Sequence, residues 1–141
     1  MDFLNSFRVT ASGLAAQRMR LNLIAENVAN AQTTRTPEGG PYKRRDPQFM
    51  ARPFDTMMDK EMAAGSTGVA VDRIVVDNNP PRMQYDPTHP DANADGYVAM
   101  PNIDVVTEMV NMMSASRTYE ANVSVLNANK AMAVKALEIG Q

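Results

Sequence analysis

The sequence predicts a mainly α-helical fold in which two long terminal helices flank a small β-rich insertion. All nine prolines lie between Pro37 and Pro101, five of the seven glycines lie in the same stretch, and both ends repeat apolar residues at helical spacing. Because proline breaks helix interiors, the proline-free ends can form long helices and the middle cannot. The predicted division is residues 1–34, 35–101 and 102–141, with the two helices paired as a coiled-coil core.

The N-terminal segment repeats apolar residues at spacings of three and four, which predicts one narrow helical stripe. Seven of its eight positions are apolar, which is typical of a helix that buries one face. The stripe consists of Leu4, Phe7, Ala11, Leu14, Arg18, Leu21, Ala25 and Val28. Gly13 weakens such a helix by about 1 kcal/mol relative to alanine. Asn30 is expected to end it, because asparagine tolerates the left-handed conformation of a helix cap.

The C-terminal segment carries a second stripe, of which eight of ten positions are apolar. It consists of Val105, Met109, Met112, Ser116, Tyr119, Val123, Leu126, Lys130, Ala133 and Leu137. Asn102 follows Pro101 and is predicted to be the N-cap, and Gly140 is predicted to end the helix. Each stripe contains one basic residue, Arg18 or Lys130. Such a residue either sets the register of the pair or extends its charge to solvent, and both interpretations stay open.

The middle of the chain is predicted to form short strands and turns. Residues 69–76 are rich in β-branched side chains, residues 77–81 are typical of a turn, and residues 82–85 resume an alternating pattern. Residues 50–64 fit either a short helix or a strand, and the pattern does not decide between them. A β insertion this small has few apolar residues, so it is expected to be marginally stable alone.

Composition excludes several classes of function. Lys and Arg number 14 against 16 Asp and Glu, and the net charge of −2 argues against a protein that binds nucleic acid without sequence preference. With no cysteine, disulfides and thiolate metal sites are also excluded. No segment approaches the roughly 18 uninterrupted apolar residues of a membrane span. The polar N-terminus does not resemble a cleaved signal peptide, so an exported chain would need another route.

The residues able to carry chemistry form no catalytic or metal-binding pattern, so we expect neither an enzyme nor a cofactor. His89 lies alone in a turn-rich loop, whereas a zinc site needs three or four ligands. Residues 91–96 match the first half of an EF-hand calcium loop, but the twelfth position is Asn102 rather than the required glutamate. Asp, Asn and Gly are also ordinary turn residues.

Charged side chains are interpreted as solvated surface. Residues 43–45 form a small basic patch with Arg52, which is expected to be a solvated turn, although an acidic protein partner stays open. Glu26, Glu108 and Glu120 lie on amphipathic helices, where exposed surface charge is the default interpretation.

Asparagines inside the predicted helices favour contacts beyond one helix pair. They are Asn22, Asn27, Asn111, Asn122, Asn127 and Asn129. Asparagine competes for backbone hydrogen bonds and is poor in a helix interior, so we infer lateral contacts between neighbouring subunits. Ordering the backbone of a helix costs about 1–2 kcal/mol of conformational entropy per residue. Burial of a single apolar stripe offsets only part of this cost. The terminal arms are therefore expected to be largely disordered in the free subunit and helical once docked in a polymer.

Several segments resemble the signatures of flagellar rod, hook and hook-associated proteins. The N-terminal signature is matched by residues 11–18 and 26–33, and the C-terminal signature by residues 108–112 and 116–122. The segments that narrow the resemblance to the proximal-rod members are residues 39–42, 86–90 and 96–102. The resemblance spans nearly the whole chain and is weakest between residues 50 and 67.

This resemblance implies a structural subunit of the flagellar basal body, located in the rod that crosses the periplasm. Such proteins are exported without a cleaved signal through the flagellar type III apparatus. Their terminal helices form the core of the torque-transmitting rod, and their β insertion faces outward. The implied partners are copies of the chain itself, other rod proteins, and the MS ring or an adaptor at the rod base. The alternatives are another small rod protein of the same family, or a soluble coiled-coil adaptor or secreted type III protein.

The predicted subunit-packing residues belong to the two stripes and to the helix asparagines. They are Leu4, Phe7, Leu14, Leu21, Asn27, Val28, Asn30, Val105, Met109, Met112, Tyr119, Asn122, Val123, Leu126 and Leu137. No nucleic-acid, metal or cofactor partner is expected.

Overall fold

Within residues 3–53 and 67–139, which it describes, the computed structural model has two long helices that flank four strands. The elements are α1 (Phe3–Ala29), β1 (Arg45–Pro53), β2 (Thr67–Val76), β3 (Arg82–Tyr85), β4 (Tyr97–Met100) and α2 (Val105–Ile139). The predicted arrangement of terminal helices around a small β region is confirmed. Neither of these helices contains an apolar stretch long enough to span a membrane.

The end of α1 is closed by side-chain hydrogen bonds of Asn30. Its Nδ2 donates to the Glu26 carbonyl oxygen at 2.9 Å, and its Oδ1 accepts from Thr33 Oγ1 at 3.1 Å. The predicted helix end is therefore confirmed to within one residue. The predicted left-handed cap is wrong, because no described residue other than glycine has a positive φ. The asparagine ends the helix through its side chain and needs no unusual backbone conformation.

The start of α2 is capped by Asp104, so the predicted N-cap at Asn102 is wrong. Asp104 Oδ1 accepts from Val106 N at 3.1 Å, and its other carboxylate oxygen accepts from the Thr107 hydroxyl. Ile103 is buried between Asn102 and Asp104, and the chain turns into the helix only after this side chain is placed. Gly140, the predicted end of this helix, lies outside the described residues.

Strands β1 and β2 form an antiparallel two-stranded ribbon, whose register runs from Arg45 opposite Val76 to Pro53 opposite Thr67. The predicted strand at 69–76 is confirmed, whereas β1 was missed. Its Pro47 and its charged residues are typical of a turn, but proline is tolerated at the edge of a sheet, and every strand of a two-stranded ribbon is an edge. Residues 50–53 of the undecided segment belong to β1, and residues 54–64 lie outside the described residues.

Strands β3 and β4 form a second antiparallel pair, with Tyr85 opposite Tyr97. The predicted strand at 82–85 is confirmed. The two tyrosine rings meet edge to face with centroids 5.3 Å apart. Gly96 has a φ of +77°, and a Cβ there would lie 3.0 Å from the Tyr85 ring, so the turn requires glycine on both counts. This pair leads into α2 and buries Val98.

The apolar core is small and is contributed mainly by the two helices and the residues next to their ends. Its buried apolar residues, within the part of the chain that is described, are Ala16, Leu23, Ile24, Ala31, Val98, Ile103 and Ala115. Four polar side chains are buried with them: Thr10, Asn27, Glu108 and Asn129. A buried polar group costs free energy unless it is hydrogen-bonded, so the partners of these residues decide how the helices are held.

Candidate functional site

Helices α1 and α2 lie antiparallel, in one defined register. Asn129 Nδ2 donates to Ser6 Oγ at 2.8 Å near the start of α1, and Asn27 Nδ2 donates to Glu108 Oε2 at 3.2 Å near its end. Between these contacts Gly13 lies against Asn122. A Cβ added at Gly13 would lie 3.3 Å from Asn122 Nδ2. A contact that lies seven residues further along α1 therefore lies seven residues earlier along α2. These contacts follow the heptad spacing of paired helices.

The surface between the helices is lined by positions three and four residues apart. On α1 the buried or half-buried positions at this spacing are Thr10, Gly13, Gln17, Arg20, Ile24 and Asn27. On α2 they are Val105, Glu108, Met112, Ala115, Tyr119, Asn122, Leu126, Asn129 and Ala133. We call these two sets the interhelical seam.

The seam differs from the predicted stripes by one residue. On α1 every seam position lies one residue before a member of the predicted stripe. On α2 the alternate positions are shared, such as Met112 and Tyr119, but Glu108 replaces Met109 and Asn122 replaces Val123. At these two positions of α2 the prediction selected the more apolar neighbour. The helices instead meet there through hydrogen-bonding side chains, which carry no apolar signal.

Asn27 is fully buried and uses all the hydrogen-bonding capacity of its side chain. Its Nδ2 donates to the Arg45 carbonyl oxygen at 2.8 Å and to Glu108 Oε2 at 3.2 Å. Its Oδ1 accepts from Arg45 N at 3.0 Å and from the Tyr42 hydroxyl at 3.2 Å. One side chain of α1 therefore binds the first residue of β1, the segment before it, and α2.

Glu108 is a buried carboxylate with a charged partner. It is 2 % exposed, and its Oε1 accepts from Arg44 Nε at 2.9 Å. Burial acts to lower the pKa of Arg44, but hydrogen bonds to Glu108 and Asp46 outweigh it and raise that pKa. The guanidinium therefore stays charged against the carboxylate. Loss of one partner from a buried ion pair costs about 3–5 kcal/mol, because the other charge is left uncompensated.

Two interpretations from the sequence are corrected by this ion pair. Glu108 is not an exposed helix charge, and Arg44 does not lie in a solvated turn. Arg45, its neighbour, is anchored through its backbone by Asn27, and its guanidinium lies 5.7 Å from the centre of the Tyr42 ring. Burial is the main cause that raises the pKa of Tyr42. We call Asn27, Tyr42, Arg44, Arg45 and Glu108 the polar junction.

The predicted packing residues mostly flank the seam. Half-buried side chains are Phe7, Leu14, Leu21, Val28, Asn30, Val105, Met112, Tyr119, Asn122, Val123 and Leu126. Leu4 is 70 % exposed, Met109 is 52 % exposed and Leu137 is 74 % exposed. Only Asn27 of this set is fully buried, and its partners lie inside the chain. Five of the half-buried members belong to the seam itself, whereas the three exposed members leave apolar surface uncovered within the described residues.

Of the six helix asparagines, two are buried, two are exposed and the other two are half-buried. Asn27 and Asn129 are buried and bind partners within the chain, so lateral contacts between subunits are not needed to explain them. Asn22 and Asn127 are exposed on the outer faces of the helices, where contact with a neighbour stays a prediction. The spacing of Glu108, Asn122 and Asn129 by multiples of seven residues was the signal that could have located the seam.

One face of α2 is apolar and lacks a partner within the described residues. Val106 is 69 % exposed, Met109 52 %, Val110 55 % and Met113 57 %. Their spacing places them together over the first two turns of α2, on a side of the helix directed away from the seam. Apolar helix faces of this kind are typical of docking surfaces for another helix. We call these four residues the α2 outer face.

The loop before β4 uses its polar residues to hold its own turns. His89 Nδ1 accepts from Asp91 N at 3.1 Å, and the Asp91 carboxylate binds Thr34 at 2.8 Å and Arg35 at 2.7 Å. Asn93 Oδ1 accepts from the amide of Tyr97 at 2.8 Å. Among residues 3–53 and 67–139, no three His, Asp or Glu side chains gather as metal ligands would. The calcium-like segment therefore anchors this loop to the residues that follow α1.

Two protein families match the ends of the chain. The family described as "Flagella basal body rod protein" matches residues 7–35, which include α1 beyond its first turn. The family described as "Flagellar basal body rod FlgEFG protein C-terminal" matches residues 94–139, which include β4 and α2. The matched segments are those that form the interhelical seam.

Curated relatives match along the full length of the chain. The flagellar basal-body rod protein FlgC of Salmonella typhimurium is 44 % identical, with all of both chains covered. FlgC of Bacillus subtilis is 42 % identical, also over all of both chains, and FlgC of Borreliella burgdorferi is 42 % identical over all of this chain and 99 % of its own. The resemblance seen in the sequence is thereby confirmed, and the chain belongs to the FlgC family of flagellar basal-body rod proteins.

Proposed function

We propose that the chain is a structural subunit of the proximal rod of the flagellar basal body and polymerises through α1 and α2. The observation that carries this proposal is the α2 outer face, whose four apolar side chains are each more than half exposed. A soluble monomer gains nothing from such a face, whereas a polymer of helices buries it. Membership of a family of rod proteins supports the same assignment.

In this proposal α1 and α2 pair as a coiled coil in the rod. The spacing of the seam and the antiparallel contacts from Ser6–Asn129 to Asn27–Glu108 support such packing. The half-buried residues that flank the seam, among them Phe7, Leu14 and Leu21, then contact neighbouring subunits. The paired helices form the wall of the rod, and the insertion at residues 35–101 faces outward.

The proposed partners are further copies of the chain, other rod proteins, and the MS ring or an adaptor at the rod base. The small apolar core supports the expectation that the terminal arms become ordered only when they dock. A chain with weakly ordered arms suits passage through the flagellar type III export apparatus, and it does not polymerise before it reaches the growing end.

Electron microscopy of basal bodies from a deletion strain tests the assignment. We expect no complete rod without the chain, and restored rods when the chain is supplied. A chain with Val110→Asp should fail to restore them because it places a charge on the α2 outer face, whereas Val110→Leu should restore them. Normal rods in the deletion strain would remove the proposed function.

Light scattering on the purified chain separates this function from that of a soluble adaptor. A rod subunit is expected to stay monomeric or to grow into open helical assemblies, since its contacts are heterologous. A coiled-coil adaptor forms a closed oligomer of one size. A single discrete oligomer that does not change with concentration would favour the adaptor.

A further inference from the structure

The seam by itself allows more than one pairing of the helices. Contacts between the helices recur at multiples of seven residues, at Ser6, Gly13 and Asn27 on α1 and at Glu108, Ala115, Asn122 and Asn129 on α2. If α2 slid by seven residues, the seams would again face each other. Gly13 would then meet Asn129, and Ser6 would meet Ala136. These are small or polar pairs much like those of the observed register.

Glu108 is the seam residue that such a slip would not tolerate. In the slipped register Ala115 would lie opposite Asn27, and the carboxylate of Glu108 would lose both Asn27 and Arg44. A buried carboxylate without these partners is strongly disfavoured. Within the part of the chain that the structure describes, Arg44 pairs with one other carboxylate, Asp46 at 3.2 Å, which is exposed and cannot replace the buried contact.

We propose that Glu108, through Asn27 and Arg44, selects one of the heptad-related registers of α1 and α2. The selection also orients the β1–β2 ribbon, because the same Asn27 amide binds Arg45 at the start of β1. The inference rests on the proposed function, in which the helix pair builds the rod. A slip of seven residues would move the α2 outer face by about 10.5 Å along the helix axis. A subunit in that register would not match its neighbours.

An internal competition between cysteines reports the register. The chain has no cysteine of its own, so Gly13→Cys, Asn122→Cys and Asn129→Cys can be introduced together. A disulfide from residue 13 to residue 122 marks the observed register, and one from residue 13 to residue 129 marks the slipped register. The two loops differ little in length, so an unpaired chain would form both products in similar amounts.

The competition is run on basal bodies isolated from a deletion strain that produces the variant chain. Intramolecular products migrate as monomers, and mass spectrometry of the linked peptides gives their ratio. We expect the 13–122 product to exceed the 13–129 product by at least about tenfold, the factor for loss of one charged hydrogen bond. Glu108→Ala should bring the ratio to within about threefold of unity, and Asn27→Leu should act in the same direction. Glu120→Ala, at an exposed glutamate of the same helix, should leave the ratio unchanged.

Three results would overturn the inference. The first is a ratio that Glu108→Ala and Asn27→Leu both leave unchanged. The second is loss of both disulfides in Glu108→Ala, since that would make the ion pair a general stabiliser with no preference for register. The third is an exclusively 13–122 product in Glu108→Ala chains that fail to enter basal bodies, measured on the chain retained in the cell. Absence of the unsubstituted chain from basal bodies would instead contradict the proposed function, so the two failures are distinguishable.

Discussion

The side-chain amide of Asn27 makes both backbone hydrogen bonds of Arg45, the first residue of β1. Its Nδ2 donates to the Arg45 carbonyl oxygen at 2.8 Å, and its Oδ1 accepts from the Arg45 amide at 3.0 Å. A helix side chain thereby takes the place of a neighbouring strand where the ribbon begins. Because the same Nδ2 also binds Glu108, the ribbon and the second helix are tied to one residue of α1.

Hydrogen exchange should distinguish the free chain from a chain whose two helices are locked together by an introduced disulfide. We expect weak protection of residues 5–30 and 105–137 in the free chain, because its arms lack the surfaces of neighbouring subunits. Gly13→Cys with Asn122→Cys provides the control, since Asn122 Cγ lies 3.9 Å from the Cβ position of Gly13 and the introduced sulfurs come within reach of each other. After oxidation this locked chain should show strong protection. Strong protection in the free chain already would contradict docking-dependent order.

Substitution of Asn27 should destabilise the locked chain. Asn27→Asp keeps the shape but removes both N–H donors and places a second carboxylate beside Glu108, so the free energy of unfolding should fall by about 3 kcal/mol or more. Urea denaturation measures the change. Asn22→Asp makes the same substitution at an exposed position of α1 and should change it by less than about 0.5 kcal/mol. Equal effects of the two substitutions would show that the polar junction contributes no stability.

A double-mutant cycle should show a coupling energy between Glu108 and Arg44. In a double-mutant cycle in the locked chain, Glu108→Gln and Arg44→Met should each destabilise the fold, and the double variant should lose less than their sum. The coupling is expected at about 1–3 kcal/mol, as for contacting members of a charged network. Glu120→Gln, combined with Arg44→Met, should be additive because Glu120 is exposed. A coupling energy near zero would mean that each charge finds another partner.

Replacement of Gln17 should stabilise the helix pair. Its Oε1 is buried and has no hydrogen-bond partner among the described residues, which leaves the cost of desolvation unrecovered. Gln17→Met has similar length and no polar atom there, so the locked chain should gain up to about 1 kcal/mol in thermal or urea unfolding. Gln84→Met, at an exposed position of β3, is the matched control and should give no gain. Destabilisation by Gln17→Met would indicate that the amide has a partner.

Acid should weaken the start of α2 through Asp104. Hydrogen bonds from the Thr107 hydroxyl and from Val106 N hold the pKa of this carboxyl below its ordinary value of 3.8. A lowered pKa in the folded state means that its contribution is complete above pH 3.8 and is lost as pH falls through the folded pKa. In the locked chain, Asp104→Asn should therefore make the free energy of unfolding depend less strongly on pH in the acid range. Hydrogen bonds to Thr88 lower the pKa of Asp86, and this residue should still contribute its part of the acid dependence in that variant. An unchanged acid profile would contradict the cap.

Sequence patterns were enough to predict the two terminal helices and the family, although β1 was missed. The confinement of proline to residues 37–101 predicted two terminal helices around a β insertion, because a proline disrupts a helix wherever it lies. A local run of β-branched residues likewise located β2, and an alternating pattern located β3. These are local properties of the chain, which do not depend on what a segment packs against.

The tertiary structure alone decided which helix faces meet and what holds them. Apolar periodicity pointed to Met109 and Val123, whereas the helices meet through Glu108 and Asn122. A polar side chain becomes suitable for burial only when its partner is at hydrogen-bonding distance, and the partner of Glu108 is Arg44, far away in the sequence. The sequence around one residue does not show that a distant residue will become its hydrogen-bond partner. The polar junction could therefore be recognised only in the folded chain.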